Sequence, residues 1–223
     1  MKRAFDFTVS LIGLVLLSPV FLVLSIIITL DSPGGVFFRG VRVGQHGKDF
    51  RIFKFRSMVP DCEGKGKWNI GNNDTRITRV GHFLRNTKLD ELPQLINVLK
   101  GDMSLVGPRP ELRYYIDMYT PREMPVLDLK PGITDWASIA NFEQFKGFTE
   151  AEDPDTYYLN VVRPVKLELQ LYYRAHHDFL SDIRCLAWTA YKILSRSQSL
   201  PAEVQAIVNA KRAELTSTTV TEC

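Results

Sequence analysis

The stretch FTVSLIGLVLLSPVFLVLSIIITL, residues 7–30, contains no charged residue. As an α-helix its roughly 24 residues would reach about 36 Å, which exceeds the roughly 30 Å of a bilayer's hydrocarbon core. The segment therefore predicts a membrane helix. A cleavable signal peptide is not expected, because the apolar run is long and no small-residue cleavage site follows it.

The centre and the flanks of this segment favour a particular kind of membrane helix. Ser18-Pro19 lies in the middle, with Lys2 and Arg3 before the segment and Arg39 and Arg42 after it. Since Lys and Arg favour the cytoplasmic side, this distribution favours keeping both ends there. Proline lacks an amide proton, and the serine hydroxyl can bond the carbonyl that this frees. The residues favour a re-entrant helix that breaks at Ser18-Pro19, with a kinked spanning helix as the open alternative.

Composition limits the classes of protein to which the chain can belong. Of 223 residues, 45% are hydrophobic, which is enough for a folded core and argues against disorder. A net charge of +3 gives no excess of the kind that nucleic-acid binding needs. Cys62, Cys185 and Cys223 are far apart, so neither a disulfide framework nor a zinc site is indicated, and a reducing cytosol fits. Basic residues concentrate before Arg113, which suits a membrane surface or a phosphorylated ligand.

After the apolar segment, two short strands are predicted. Residues Val36–Val43 and Phe50–Arg56 read as strands joined by a turn at Gly44–Gly47, which predicts a β-hairpin. The period of two in a strand places Lys54 and Arg56 on the same face of the second strand. These two cations are therefore expected to point together.

A helix signal follows in the middle of the chain. Thr87 and Asp90 have the spacing of a capping box, and Gly101 is a stop signal after an apolar run. Asp90 and Glu91 are thus predicted at a helix N-terminus. Taken alone, such a pair is most often a cap that compensates the helix dipole.

The remaining pattern completes an α+β fold that is mostly helical. Prolines 108 to 131 allow only short elements, and three helices and a last one are predicted at Asp155–Val162, Pro164–His177, Ser181–Ser197 and Ala202–Leu215. The predicted organisation is a re-entrant membrane segment at residues 1–35, one catalytic domain at 36–200, and a C-terminal helix with a flexible tail at 201–223.

Three blocks of sequence carry a resemblance to one family. They are KFRSM at residues 54–58, RITRVG at 76–81 leading to Arg85, and LDELPQLINVLKGDMSLVGPRP at 89–110. With these blocks the chain resembles the bacterial monotopic phosphoglycosyl transferases, sugar transferases that begin glycan assembly on a polyprenyl phosphate. The third block is long and specific, and the resemblance extends from the N-terminal segment to about Trp136.

The resemblance implies a role for each matching residue. Asp90 is the expected nucleophile, which attacks the phosphorus that bears the sugar and forms an acyl-phosphate intermediate. Glu91 is expected to help position the attacking groups or Mg²⁺, the implied cofactor, whose metal ligands would be Asp90 and Glu91. Phosphate binding is expected from four cations, with Arg56 the weakest candidate: Arg85, Arg109, Lys54 and Arg56.

The resemblance also implies substrates and a location. A UDP-sugar would donate sugar 1-phosphate to polyprenyl (undecaprenyl) phosphate and release UMP, as the first membrane step of a surface polysaccharide or glycoconjugate. The Ser18-Pro19 segment would be the family's re-entrant helix, placing the catalytic domain on the cytoplasmic face of a bacterial inner membrane. No nucleic-acid partner is expected, and the resemblance admits a homodimer and downstream glycosyltransferases as further partners.

The match weakens after Thr134, and this leaves alternatives open. Relatives commonly continue with Gly-Trp-Ala-Gln and Asn-Gly-Arg, whereas this chain has Asp135-Trp-Ala-Ser and then Asn141-Phe-Glu. Asp135 would contact a sugar hydroxyl or form a local turn or ion pair. The alternative functions are a membrane-bound glycosyltransferase that releases UDP, and a non-catalytic scaffold that recruits glycan enzymes.

Overall fold

A computed structural model describes residues 1–60, 74–141, 154–195 and 199–221. The chain forms two compact units. The first comprises Met1–Leu105 and Pro110–Asp117, and the second comprises Val106–Arg109 and Met118–Cys223.

The first unit begins with one long helix, α1, which runs from Lys2 to Asp31. It is long and apolar enough to cross a membrane, and only 11% of its most apolar window is buried within the protein. One side packs into a core in which Leu24 and Ile28 meet Phe55 and Leu84. The other side leaves large apolar side chains exposed, which suits a lipid environment.

The Ser18-Pro19 pair lies inside α1, and the helical backbone continues through it. Pro19 cannot bond the carbonyl of Val15, four residues earlier. The Ser18 hydroxyl donates to that carbonyl at 2.8 Å. The predicted compensation by serine is therefore confirmed, whereas the predicted turn back within the membrane stays a prediction.

Two polar anchors fix α1 to the rest of the first unit. Near the N-terminus, the Arg3 guanidinium donates to the carbonyls of Val98 and Leu99 at 2.5 and 2.9 Å. Asp6 is buried, and its carboxylate accepts the Ser104 hydroxyl at 2.8 Å. These bonds explain why a helix that is otherwise apolar carries charged residues in its first turns.

The predicted hairpin is confirmed, in two short ladders. Strands β1 (Phe37–Phe38), β2 (Val41–Val43), β3 (Asp49–Arg51) and β4 (Lys54–Phe55) pair antiparallel, β2 with β3 and β1 with β4. The turn holds two residues at positive φ, His46 at 56° and Gly47 at 73°. In the ladder of β1 with β4, Lys54 lies opposite Phe38.

The site-bearing segment of the first unit follows the hairpin. Helix α2 (Arg79–Thr87) begins at Thr78, whose hydroxyl accepts the Gly81 amide at 3.0 Å. A 3-10 turn at Leu89–Glu91 leads to α3 (Gln94–Lys100), which packs against α1 and ends at Gly101 with φ 93°. The stop at Gly101 is confirmed. Strand β5 (Ser104–Val106) and helix α4 (Arg113–Ile116) follow.

The predicted cap at Thr87 is wrong. Thr87 is the last residue of α2, and its hydroxyl donates back to the carbonyls of Phe83 and Leu84 at 2.8 and 3.2 Å. Lys88 follows in the left-handed conformation with φ 59°, so it ends one helix before the next begins. A threonine that closes a helix and one that opens a helix leave the same local pattern in sequence.

The second unit is helical around one small strand. Its elements are β6 (Gly132–Thr134), α5 (Trp136–Asn141), α6 (Pro154–Tyr157) with a π-helical turn at Tyr158–Val162, α7 (Arg163–His176), α8 (Phe179–Ser195) and α9 (Ala202–Thr221). Helix α7 packs against α5 and α9. The four predicted helices are confirmed, although the last two residues of the predicted Ser181–Ser197 lie outside the described residues. Helix α9 continues to Thr221, beyond the predicted end at Leu215 and into the predicted tail.

Candidate active site

Asp90 and Glu91 lie on the 3-10 turn between α2 and α3. The turn is closed by bonds from the Glu91 amide to the Lys88 carbonyl at 3.3 Å and from the Leu92 amide to the Leu89 carbonyl at 3.2 Å. Because Lys88 takes up the left-handed conformation, the chain changes direction at this point. The two carboxylates are therefore held on a short, tightly wound turn of the backbone.

Glu91 is paired with the hairpin lysine. Lys54 Nζ donates to Glu91 Oε1 at 2.9 Å, and the two side chains are 21% and 17% exposed. The bond joins β4 to the 3-10 turn. The structure thus brings together Lys54 and Glu91, two of the residues that the sequence assigned to the site.

Asp90 is the more deeply placed carboxylate. It is 8% exposed, and its Oδ1 has no hydrogen-bond partner within the described part of the chain. Burial is the largest influence and raises the pKa of Asp90 above its ordinary value. Lys54 acts against it, Glu91 raises the pKa further, and then Lys88 and Arg85 lower it.

Arg85 lies in the last turn of α2, one turn before this pair. Its charge lowers the pKa of Asp90 and also that of Asp74. The Arg76 side chain bonds Asp74 through Nε and Nη2, at 2.9 and 2.6 Å, and this bonding lowers the pKa of Asp74 most. Arg85 therefore acts electrostatically on both carboxylates, and its expected binding of phosphate stays a prediction.

Two of these charged groups were given no role from the sequence. Asp74 lies two residues before Arg76, the first residue of the RITRVG block, and its carboxylate bonds the Arg76 amide and side chain. Lys88 precedes the LDELP block, and its charge acts on Asp90. A signal for Lys88 was available, since it is a cation two residues before the expected nucleophile. Asp74 offered none, because its link to Arg85 is made by the fold.

The Arg56 guanidinium, which was expected to bind phosphate, is hydrogen-bonded within the protein. Its Nε and both terminal nitrogens make five hydrogen bonds to the end of α1 and the residues after it, to the carbonyls of Ile28, Ser32, Pro33 and Gly35 and to the Ser32 hydroxyl. A guanidinium has five N–H groups, so these bonds use its full donor capacity. Lys54 begins β4 and Arg56 directly follows it, and the two side chains bind different partners. We therefore leave Arg56 out of the proposed phosphate-binding set.

Arg109 belongs to the second unit and is described with it. It stands between Pro108 and Pro110, and its amide donates to Asp135 Oδ2 at 3.2 Å. Asp135 is almost fully buried, and its Oδ1 accepts the Ser138 amide at 2.7 Å. Of the two expectations for Asp135, the local turn is confirmed.

The carboxylate pair supplies the kind of oxygen ligand that Mg²⁺, the expected cofactor, prefers, and the cofactor itself stays a prediction. Mg²⁺ takes one or two protein carboxylates and fills its other positions with water and phosphate oxygens. Asp90 and Glu91 supply two carboxylates, and Asp90 Oδ1 is buried without a partner among the described residues. The same residues include no group of three or more His, Cys, Asp or Glu that could hold a metal. Phosphate oxygens would therefore have to complete the coordination.

The arrangement is suited to nucleophilic attack at phosphorus. A buried carboxylate with an unpaired oxygen can act as a nucleophile. The nearby cations favour the charged form of Asp90 and would attract an anionic phosphate. Repulsion between a carboxylate and a diphosphate is the main electrostatic obstacle to such an attack. Lys54, Lys88 and Arg85 counter it.

Comparison with known proteins identifies the family. The sequence profile of the family described as "Bacterial sugar transferase" matches residues 1–196. An Aeromonas hydrophila protein named UDP-N-acetylgalactosamine-undecaprenyl-phosphate N-acetylgalactosaminephosphotransferase is 39% identical over 198 residues, covering 87% of this chain and 44% of the relative. The UDP-glucose:undecaprenyl-phosphate glucose-1-phosphate transferase of Escherichia coli (strain K12) is 45% identical over 146 residues, covering 62% and 31%.

A relative of similar length also matches. The exopolysaccharide production protein PSS of Rhizobium leguminosarum bv. phaseoli is 37% identical over 209 residues, covering 89% of this chain and 97% of the relative. The chain thus spans less than half of the first two relatives and nearly all of the third. Since the family profile covers most of its length, including α1 and the Asp90-Glu91 turn, the chain belongs to the bacterial sugar transferase family.

Proposed function

We propose that this protein transfers sugar 1-phosphate from a UDP-sugar to undecaprenyl phosphate and releases UMP. The observation that carries the proposal is the state of Asp90, a buried carboxylate with an unpaired oxygen among Lys54, Lys88 and Arg85. The names of the relatives support it, because they describe transfer of a phosphosugar to undecaprenyl phosphate.

The transfer takes place in two displacements. An Asp90 carboxylate oxygen attacks the phosphorus that bears the sugar, the bond from that phosphorus to the UMP oxygen breaks, and UMP leaves. In the second step a phosphate oxygen of the lipid attacks the same phosphorus, the acyl–phosphate bond breaks, and the Asp90 carboxylate is regenerated. The product is a polyprenyl diphosphosugar, and the kinetics are ping-pong.

Each charged residue has a distinct task in this scheme. Lys54 holds Glu91 in place through its 2.9 Å bond, and its charge favours the ionised form of Asp90. Arg85 and Arg109 bind phosphate oxygens of the donor. Asp90 and Glu91 would hold Mg²⁺, which when bound supplies further positive charge for the phosphate oxygens.

Helix α1 brings the enzyme to its lipid substrate. Its exposed apolar side chains would lie in the bilayer, while Leu24 and Ile28 pack into the core of the first unit. An undecaprenyl chain keeps its phosphate at the membrane surface, so an enzyme held there meets the head group without extracting the lipid. We propose that α1 is re-entrant at Ser18-Pro19 and that the catalytic residues face the cytoplasm.

The nucleotide product tests the reaction. Full-length protein in detergent or nanodiscs would be incubated with undecaprenyl phosphate, Mg²⁺ and either UDP-glucose or UDP-N-acetylgalactosamine. The proposal expects UMP and a lipid diphosphosugar. Release of UDP would mean that the sugar moves without its phosphate, and would overturn the proposal.

The covalent step needs its own assay. Without the lipid acceptor, a donor labelled in the sugar should label the protein, and the label should be lost when acceptor is added. Asp90→Asn should abolish both labelling and turnover. As a control, Asp49→Asn changes a half-exposed carboxylate on the hairpin and should leave both unchanged. Normal turnover of Asp90→Asn would refute the mechanism.

A further inference from the structure

The backbone that carries Arg109 is unusually constrained. Pro108 and Pro110 flank it, so the Arg109 amide is the only backbone N–H group in this tripeptide. That N–H is bonded to Asp135 Oδ2 at 3.2 Å. The only backbone N–H group of this tripeptide is therefore hydrogen-bonded to a carboxylate oxygen of Asp135.

Two further bonds join the residues just before Arg109 to the segment that leads into Asp135. The Gly107 amide donates to the Thr134 carbonyl, and the Gly132 amide donates to the Pro108 carbonyl, both at 3.0 Å. The two backbones come so close that a Cβ on Gly132 would lie 2.1 Å from the Gly107 nitrogen. Only glycine fits here. The Asp135 bond is thus the last of three consecutive contacts, and it is the one that reaches Arg109.

Asp135 itself is fully engaged inside the second unit. It is 1% exposed; Oδ2 also accepts Gln170 Nε2 at 3.1 Å, and Oδ1 caps α5 through the Ser138 amide. The Asp135 carboxylate therefore accepts three N–H donors, from Arg109, Ser138 and Gln170. A carboxylate so enclosed does not present its charge to an anionic donor.

We propose that Asp135 is a positioning residue, which fixes the Arg109 backbone so that the guanidinium is held ready for the donor phosphate. The proposal rests on the proposed function, in which Arg109 binds phosphate. Asp135 stands where the sequence departs from the common family pattern, which has glycine there. In this chain the departure adds a side-chain acceptor for the one amide between the two prolines.

The first test reads the backbone directly and does not depend on activity. Amide-resolved hydrogen exchange can report this position, because Arg109 carries the only backbone N–H group between Pro108 and Pro110. Asp135→Ala should make this amide exchange at least about tenfold faster, because its acceptor is lost. Unchanged exchange would overturn the positioning role, whatever the enzyme's substrate proves to be.

The second test is kinetic and uses a double-mutant cycle. In the wild-type background, Asp135→Ala should raise KM for the UDP-sugar about tenfold, with a smaller change in kcat. In an Arg109→Ala background it should cause no further change, because it acts through Arg109. Equal effects in both backgrounds would overturn the proposal.

A matched control separates positioning from loss of stability. Lys192 is buried and donates to the Ile139 carbonyl at 3.0 Å, so it caps α5 at the end opposite Asp135. Lys192→Met should change the melting temperature and leave both KM and the Arg109 exchange rate unchanged. If Asp135→Ala does not fold, Asp135→Asn, which keeps one acceptor oxygen, should show the same two effects at reduced size.

The outcomes distinguish this inference from the proposed function. If Arg109→Ala has normal KM while Asp135→Ala still speeds amide exchange, the phosphate-binding role of Arg109 fails and the structural contact stands. If Arg109→Ala raises KM and Asp135→Ala changes neither measurement, the function stands and the positioning role is refuted.

Discussion

Replacing Arg56 discriminates between a structural and a phosphate-binding role. The sequence grouped Arg56 with the phosphate-binding cations, whereas the structure places its guanidinium at the C-terminal end of α1, 8% exposed. A cation there also interacts favourably with the negative end of the helix dipole. The variant Arg56→Met keeps much of the apolar length and removes all five donors.

The expected loss of stability follows from the bonds. Hydrogen bonds to a charged group contribute about 1.5–3 kcal/mol each where they are well buried, and less where water can replace them. One of the five bonds is buried and four are part-buried. Counting about 1 kcal/mol for each gives an upper figure near 5 kcal/mol, and replacement by water lowers it to about 3 kcal/mol.

The assay is thermal unfolding of the purified protein in one detergent, with KM for the UDP-sugar measured below the transition. For a chain of this size we expect Arg56→Met to lower the melting temperature by about 10 °C. KM should not change. Arg51→Met is the control, since Arg51 is an exposed arginine of the same hairpin with a single long bond to the Arg39 carbonyl. An unchanged melting temperature with a raised KM would refute the structural role and restore the phosphate-binding one.

Three further outcomes are expected. Burial raises the pKa of Asp90, so the folded state favours the neutral carboxyl. The stability that the neutral carboxyl contributes is present below the ordinary pKa of 3.8, and it is lost as the pH rises through the raised pKa. Asp90→Asn should therefore melt increasingly above wild type as pH rises, and a constant difference would contradict this reasoning. Lys54→Met should shift the activity profile to higher pH, because it removes a cation that lowers the Asp90 pKa, while the exposed Lys48→Met should not. Gly132→Ala should destabilise the second unit by about 3 kcal/mol or more in denaturant unfolding, since its Cβ meets backbone atoms.

The elements that were predictable from the sequence are those that depend on local pattern. The hairpin follows from alternation and a glycine-containing turn, and Gly101 ends α3 because it adopts a positive φ that glycine accepts readily. The serine at the centre of the apolar segment bonds the carbonyl that Pro19 frees, as local stereochemistry requires. Each of these features depends on residues that are close together in the sequence.

The features that were missed depend on contacts between distant segments. Thr87 carries the pattern of a helix start, but it is the last residue of α2. Lys88 then adopts a positive φ, which ends the helix and changes the direction of the chain. Arg56 was predicted to share a strand face with Lys54, but β4 ends at Phe55 and the Arg56 guanidinium bonds carbonyls at the end of α1. Alternation along a strand gives the direction of a side chain and cannot say which partner the fold brings to it.

Asp90 shows the same limit at the site itself. The sequence gives the adjacent carboxylates and the nearby cations, and it cannot give the burial that dominates the Asp90 pKa. That burial arises where the 3-10 turn lies between α2 and α3, both of which pack on α1. The family resemblance assigned a nucleophile, and the fold supplies the physical reason why this carboxylate would differ from its neighbour.

Helix α1 has two roles, its proposed attachment to the membrane and the anchoring of the elements around the Asp90 turn. Deleting the helix would remove both roles together. Arg3 bonds the carbonyls at the end of α3, and Asp6 bonds Ser104, so the N-terminal end of α1 is tied to the helix that follows the Asp90 turn and to the strand beyond it. At the other end, Arg56 ties α1 to the strand that carries Lys54. Because both components of the Lys54–Glu91 pair lie on elements anchored to α1, the helix proposed to hold the protein at its lipid also anchors the elements that carry the proposed catalytic carboxylates.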